Sequence, residues 1–214
     1  MTIKEKEANE RRQGKSRLLQ KDELKRVIQF QESGRHPKRN IAILHLSFYC
    51  GLRVAEIAQL VLQDLVNDKW ELKEEVVLQR EITKMKKTRT IYIVHKDLRN
   101  ALTKYIEERR KDITTNEVRA WKKKPLFHSQ KGSAFPAKSL QRVFKIMFQA
   151  VGLDDMCSSH SGRRTFISNL ISQNVNMKTV STLAGHSNIQ TTVNTYAEDN
   201  PLKKRNACED LTFW

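Results

Sequence analysis

One stretch of this chain breaks the helical rhythm around it, and that break limits what the chain can fold into. Before it, Leu24, Val27, Ile28 and Phe30 recur at helical spacing. After a short HPKRN connection, Ile41, Ile43, Leu44, Leu46 and Phe48 make a strongly apolar helix that stops near Cys50-Gly51, where glycine suits a helix end. A short helix with Ile57 and Leu60 facing inward follows GLR. Within residues 70–94 the period then drops to two: Val76, Val77 and Leu78 lead to a turn crowded with cations, and Ile91 and Ile93 alternate with polar neighbours. That pattern predicts a small antiparallel sheet with a basic hairpin tip. The helical period returns in the stripe Leu98, Ala101, Leu102, Tyr105 and Ile106, opened by Asp97. It returns again in Leu140, Val143, Phe144, Met147, Phe148 and Val151, with Ser139 as the expected cap and Gly152 as the stop. Three more helical pieces are expected over 160–173, 176–184 and 188–197. The fold class is therefore α+β and mostly α-helical.

Charge narrows the partner. The 214 residues include 40 basic and 24 acidic side chains, a net charge of +16. So strong an excess points to a polyanion, and nucleic acid fits best, because no apolar run approaches membrane-spanning length. The first 17 residues are charged and lack the apolar core of a signal peptide. Three widely spaced cysteines, Cys50, Cys157 and Cys208, form no CxxC pair and argue against a disulfide framework or a structural zinc site. A cytoplasmic location is expected. Neither GxxxxGK[ST] nor GxGxxG occurs, so nucleotide-driven chemistry has no support.

The stretch from Cys157 to Tyr196 concentrates groups suited to phosphate chemistry. His160 and Arg163 are three residues apart and share a helical face, with Arg164 pointing elsewhere. His186 sits in a Gly-His-Ser turn, and Tyr196 follows ten residues later. A guanidinium binds phosphate with a planar fork, imidazoles donate hydrogen bonds, and a phenol can attack phosphorus. Together they suit a transesterification that needs neither metal nor ATP, so no cofactor is expected.

These residues, taken with Arg53 in GLRVAEI and Lys84 on the hairpin, resemble the catalytic domain of the tyrosine site-specific recombinases, the phage-integrase class. The motifs occur in family order from about Leu18 to Tyr196: Arg53, Lys84, HSGR at 160–163, LAGH ending at His186, then Tyr196. The resemblance implies a role for each. Arg53 and Arg163 would clamp the non-bridging oxygens of the scissile phosphate, and His160 and His186 would add hydrogen bonds and manage the proton of the nucleophile. Lys84 would protonate the leaving 5′ oxygen, with Lys86 and Lys87 as rivals on the same hairpin. Tyr196 would attack and hold the DNA through a 3′-phosphotyrosine, and Glu56 would orient the site. Where family members often have leucine and histidine around the second arginine, Gly162 and Arg164 flank Arg163 here.

The resemblance implies a DNA breaking-rejoining fold, mostly helical with a small three-stranded antiparallel sheet on one side. It divides the chain into a charged arm at 1–17, a catalytic domain at 18–198 and a terminal segment at 199–214 that is exchanged between subunits. Only 17 residues precede the catalytic domain, so either the compact form without a separate core-binding domain or a fragment of a longer protein is expected. The implied activity is the cutting and rejoining of duplex DNA at specific sites, for integration, excision or inversion of an element, by a homotetramer on DNA. An accessory DNA-bending protein or a partner recombinase can join it. Candidate DNA contacts are Lys86, Lys87, Arg89, Lys122, Lys123, Lys124 and Arg164. Two other readings stay open: a type IB topoisomerase-like enzyme, and a non-catalytic DNA-binding regulator that retains the fold.

Overall fold

The computed structural model describes residues 16–79, 83, 88–113, 118–129 and 133–196, with no side-chain placement for 118, 119 and 194–196. The chain enters through a tied-down segment. Ser16 Oγ lies 2.7 Å from Ser158 Oγ, the Arg17 N–H donates to the Met156 carbonyl at 3.0 Å, and the Leu19 N–H donates to Thr165 Oγ1 at 3.0 Å. Arg17 also forks onto Glu23 and reaches Asp154 at 2.9 Å. Ser16 and Arg17, assigned to the terminal arm from sequence, thus pair with the segment that precedes the HSGR motif.

Helix α1 (Lys21–Glu32) starts where Glu23 turns back to accept the Gln20 N–H at 2.8 Å, half of a capping box. Helix α2 (Pro37–Cys50) begins with proline, whose missing N–H costs nothing at that position. It is the central element, with Ala42, Ile43, Leu44 and Leu46 all at 0% exposure. It ends at Gly51, where φ is +60°. A Cβ there would also meet the Phe166 ring at 2.4 Å, so both backbone angle and space require glycine. Two short helices follow, α3 (Val54–Gln59) and α4 (Leu62–Leu65).

Strands β1 (Glu75–Leu78) and β2 (Arg89–Tyr92) pair antiparallel, Val76 opposite Ile91 and Val77 opposite Thr90. Val76, Leu78 and Ile91 turn into the core, while Val77 and Tyr92 face out. Among the described residues this sheet has two strands, not the expected three. The physical reason lies at Asn67: its side-chain oxygen accepts the Lys69 and Glu71 N–H groups, which curls the chain. Trp70 then takes φ +65°, and Leu72 makes only an isolated bridge to Val66.

Helix α5 (Lys96–Lys111) buries Leu98, Ala101, Leu102, Tyr105 and Ile106, the predicted stripe, against α2. After α6 (Val118–Lys122) comes α7 (Ala137–Gln149), which buries Leu140, Phe144, Met147 and Phe148. Pro136, rather than Ser139, occupies its N-cap; Ser139 falls inside the first turn. Helices α8 (Ser161–Ser172), α9 (Met177–Ala184) and α10 (Ile189–Tyr196) complete the described residues. Gly162 lets α8 approach α2, since a Cβ there would lie 2.3 Å from Ser47 Oγ. No helix among the described residues is long and apolar enough to cross a membrane.

Candidate active site

The end of α2 and the start of α3 place Arg53. Its backbone is extended (ψ 150°), so the side chain leaves the helix start, and Glu56 one turn on holds it in two ways. Glu56 Oε2 accepts the Arg53 N–H at 2.8 Å, and Oε1 accepts Nη1 at 2.9 Å. Arg53 Nη2 reaches the Gly185 carbonyl at 3.5 Å. One carboxylate thus fixes both the backbone and the guanidinium of Arg53.

Glu56 is 1% exposed, and its second partner is Arg89 on β2: Nη2 donates to Oε2 at 2.6 Å. Burial alone would raise this carboxyl, but the charges of Arg89 and Arg53 and the Arg53 N–H hold it below the usual carboxylate range. Arg89 also donates through Nη1 to the Leu183 carbonyl. It was expected to contact DNA; here its side chain is 6% exposed and bonded to Glu56 and to the end of α9. A cation beside a lysine-rich turn looks like surface in sequence, and its carboxylate partner lies 33 residues away.

Gly185 ends α9 in the left-handed region (φ +64°), where its Cα packs on Arg89; an added Cβ would lie 2.5 Å from Arg89 Cδ. This turn presents His186. Burial first, then the charges of Arg163, Arg53 and Arg89, push the His186 imidazole down to about 4, so it is neutral at pH 7. Its Nδ1 lies 2.7 Å from Thr192 Oγ1 on α10. Arg53, Glu56, Thr83, Thr88, Arg89, Gly185 and His186 line one cleft of about 210 Å³.

Arg163, on the first turn of α8, is 6% exposed and donates Nη1 to the Gly51 carbonyl at 2.7 Å, two residues before Arg53. His160 is exposed at the N-cap of α8 with helical backbone angles, and its carbonyl accepts the Arg164 N–H at 3.0 Å. The structure thus brings Arg53, Glu56 and His186 to one cleft, with Arg163 close enough for its charge to bear on His186. His160 sits one helical turn from Arg163, outside the cleft lining. Arg164 turns instead to the Ser16 carbonyl, tying α8 to the entering chain. Lys122 pairs with Asp68 at 2.5 Å, Lys123 is exposed, and Lys124 is half-buried; none of the three lines the cleft. Lys84, Lys86 and Lys87 lie outside the described residues, although Thr83 and Thr88 on either side line the cleft. Tyr196 is the last residue of α10, and its side chain is likewise outside the described set. No group of three or more His, Cys, Asp or Glu among the described residues could hold a metal ion.

Thr192 is a site residue that sequence reasoning did not name, and Arg89 was named only as a DNA contact, not as the buried partner of Glu56. For Arg89 the available signal was the alternation of β2, which puts position 89 on the buried side with Ile91. For Thr192 it was the helical register from Tyr196.

Comparison with known proteins gives concordant results. The family model described as the phage integrase family matches residues 17–203. A tyrosine recombinase XerC of Thermodesulfovibrio yellowstonii is 27% identical over 183 residues, covering 78% of this chain and 56% of that protein. A tyrosine recombinase XerD of Rickettsia bellii is 27% identical over 195 residues, 87% of this chain and 62% of the other. The chain therefore spans only about three-fifths of these relatives. Among solved structures, the Tn1549 transposon integrase in complex with transposon right end DNA superposes with a TM-score of 0.73 at 19% identity, over 91% of this chain and 66% of that one. That likeness is one of fold.

Proposed function

The chain belongs to the phage integrase family, and from that premise we propose that it cuts and rejoins duplex DNA at specific sites through a covalent phosphotyrosine. The observation that carries this reading is the cleft itself: Arg53 and His186 face one cavity, with Glu56 fixing Arg53 and the charge of Arg163 felt at His186. A net charge of +16 suits a duplex partner.

In this reading Arg53 and Arg163 bind the two non-bridging oxygens of one phosphate. As the Tyr196 phenol oxygen bonds to phosphorus, charge gathers on those oxygens, and fixed cations in a confined cleft lower the barrier. The Tyr196 proton passes to the His160 imidazole as the bond forms, while His186 hydrogen-bonds the phosphate. The bond from phosphorus to the 5′ oxygen breaks, and Lys84 delivers a proton to that oxygen. One phosphoester replaces another, so a 5′ hydroxyl can later reverse the step without ATP. Glu56 keeps Arg53 aimed. Lys86, Lys87 and Lys122–Lys124 are proposed to meet the DNA backbone, and a homotetramer, with or without an accessory protein, is proposed to pair two duplexes.

The test is a plasmid carrying two copies of the DNA flanking the native locus. Rearranged plasmids, with DNA deleted or inverted between the two copies, are expected. Relaxed circles without rearrangement would favour a topoisomerase and overturn the recombinase reading.

A further inference from the structure

His186 is held from two sides. Its backbone closes α9 through paired bonds: the Gly185 N–H donates to the Thr182 carbonyl at 2.9 Å and the His186 N–H to the Ser181 carbonyl at 3.0 Å. This is the pattern of a helix ended by a left-handed residue. Its ring is held by a different element. Thr192, whose Oγ1 lies 2.7 Å from Nδ1, sits in the middle of α10 and is 0% exposed. Position 192 is one helical turn before 196, so the contact ties the cleft to the helix that ends at Tyr196.

We propose that Thr192 is a positioning residue whose hydroxyl holds Nδ1 of His186 and so leaves Nε2 to serve the phosphate, but only while α10 is seated. This rests on the cleft being a phosphodiester site. The physical basis is the inventory of a neutral imidazole, which has one N–H and one bare nitrogen. A hydroxyl can donate as well as accept, so it can satisfy Nδ1 while Nε2 carries the hydrogen and donates to a non-bridging oxygen. Burial and three neighbouring guanidiniums keep the ring neutral, so the tautomer matters. Without the hydroxyl, the bond by which Thr192 fixes the Nδ1 edge of the ring is lost. If α10 moves away, the cleft loses its ordered donor together with the helix bearing the nucleophile. The two losses are coupled through one side chain, which suits a reaction that must not fire before assembly.

The test uses Thr192→Val, which keeps the shape without the hydroxyl, and Thr192→Ser, which keeps the hydroxyl. Ring ¹⁵N shifts of His186 are measured first in the full chain without DNA at pH 7. Wild type and Thr192→Ser should share one pattern, and Thr192→Val should differ. Single-turnover strand cleavage of a nicked duplex at saturating protein follows. Thr192→Val should cleave about tenfold more slowly, the cost of one hydrogen bond, with DNA affinity unchanged and with recovery in Thr192→Ser. In a His186→Ala background Thr192→Val should add no further loss. A wild-type ring pattern in Thr192→Val, or an undiminished loss in the His186→Ala background, would overturn the proposal. Failure of the wild-type chain to cleave would instead refute the phosphodiester reading, with the ring shifts still deciding whether Thr192 holds His186.

Discussion

Arg89 Nη2 lies 2.6 Å from Glu56 Oε2, both side chains almost fully withdrawn from water, while the other oxygen of Glu56 holds Arg53. One buried carboxylate is thus shared between a strand cation and the guanidinium proposed to grip the phosphate. Such a pair adds little to stability when intact, because desolvating two charges offsets most of their attraction. Its value lies in geometry, since Arg53 cannot swing away without breaking its 2.9 Å bond to the buried Glu56 carboxylate.

Replacing Glu56 by glutamine keeps the shape but leaves Arg89 facing a neutral amide. Removing one partner of a buried pair costs about 3–5 kcal/mol. Urea denaturation of Glu56→Gln should show a loss of at least the lower figure. A midpoint equal to wild type would show that the pair is not formed in solution.

Gly51 and Gly152 both have positive φ, at +60° and +73°, yet only Gly51 faces a neighbour that a Cβ would strike. Alanine at either position carries backbone strain of about 1–3 kcal/mol. Gly51→Ala must also displace the Phe166 ring, so it should be the more destabilised of the two in thermal melts. Equal melting temperatures would contradict the close packing of the α2 end against α8.

Acid should destabilise the fold through a buried histidine of α2. Burial pushes the His45 imidazole down to about 4, so the unfolded chain, with an ordinary value near 6.5, binds the proton first as pH falls. Its contribution to stability is complete above about 6.5 and is lost as pH falls toward 4, amounting to about 3 kcal/mol. His186 titrates over the same window. His45→Leu should flatten, without abolishing, the decline of denaturation free energy between pH 7 and pH 4. An unchanged slope would place His45 in contact with water.

The sequence pattern shows most of the scaffold and less of the site. The stripes through Leu98–Ile106 and Leu140–Phe148 are legible because one face of each helix meets the core and the other meets water, which writes the period into the residues. Gly51, Gly152 and Gly185 are legible because each marks a left-handed stop. That the sheet has two strands among the described residues was not, because the curl at Asn67 depends on a side-chain oxygen taking two backbone N–H groups, a local competition that apolar alternation does not record. The burial of Arg89 was not legible for a related reason: whether a cation is surface or core depends on Glu56, which only the tertiary fold brings near. The pairing of Thr192 with His186 likewise exists only once α10 packs beside the end of α9.

Arg163 is expected to matter through charge placement more than through packing. Arg163→Lys keeps a cation but loses the fork, one arm of which binds the Gly51 carbonyl. Strand cleavage should fall by about 2.7–4 kcal/mol in transition-state terms, with DNA binding retained. Loss of binding and cleavage in equal measure would assign Arg163 to docking instead.

Covalent trapping decides whether Tyr196 carries the broken strand. Wild-type chain and Tyr196→Phe are each incubated with a nicked duplex that sheds a short fragment on cleavage, so that religation cannot occur, and then resolved under denaturing conditions. A protein–DNA adduct is expected with wild type only, in which peptide mass spectrometry finds the 3′ phosphate on Tyr196. An adduct that persists in Tyr196→Phe, or tight site-specific binding by wild type with no adduct, would contradict it.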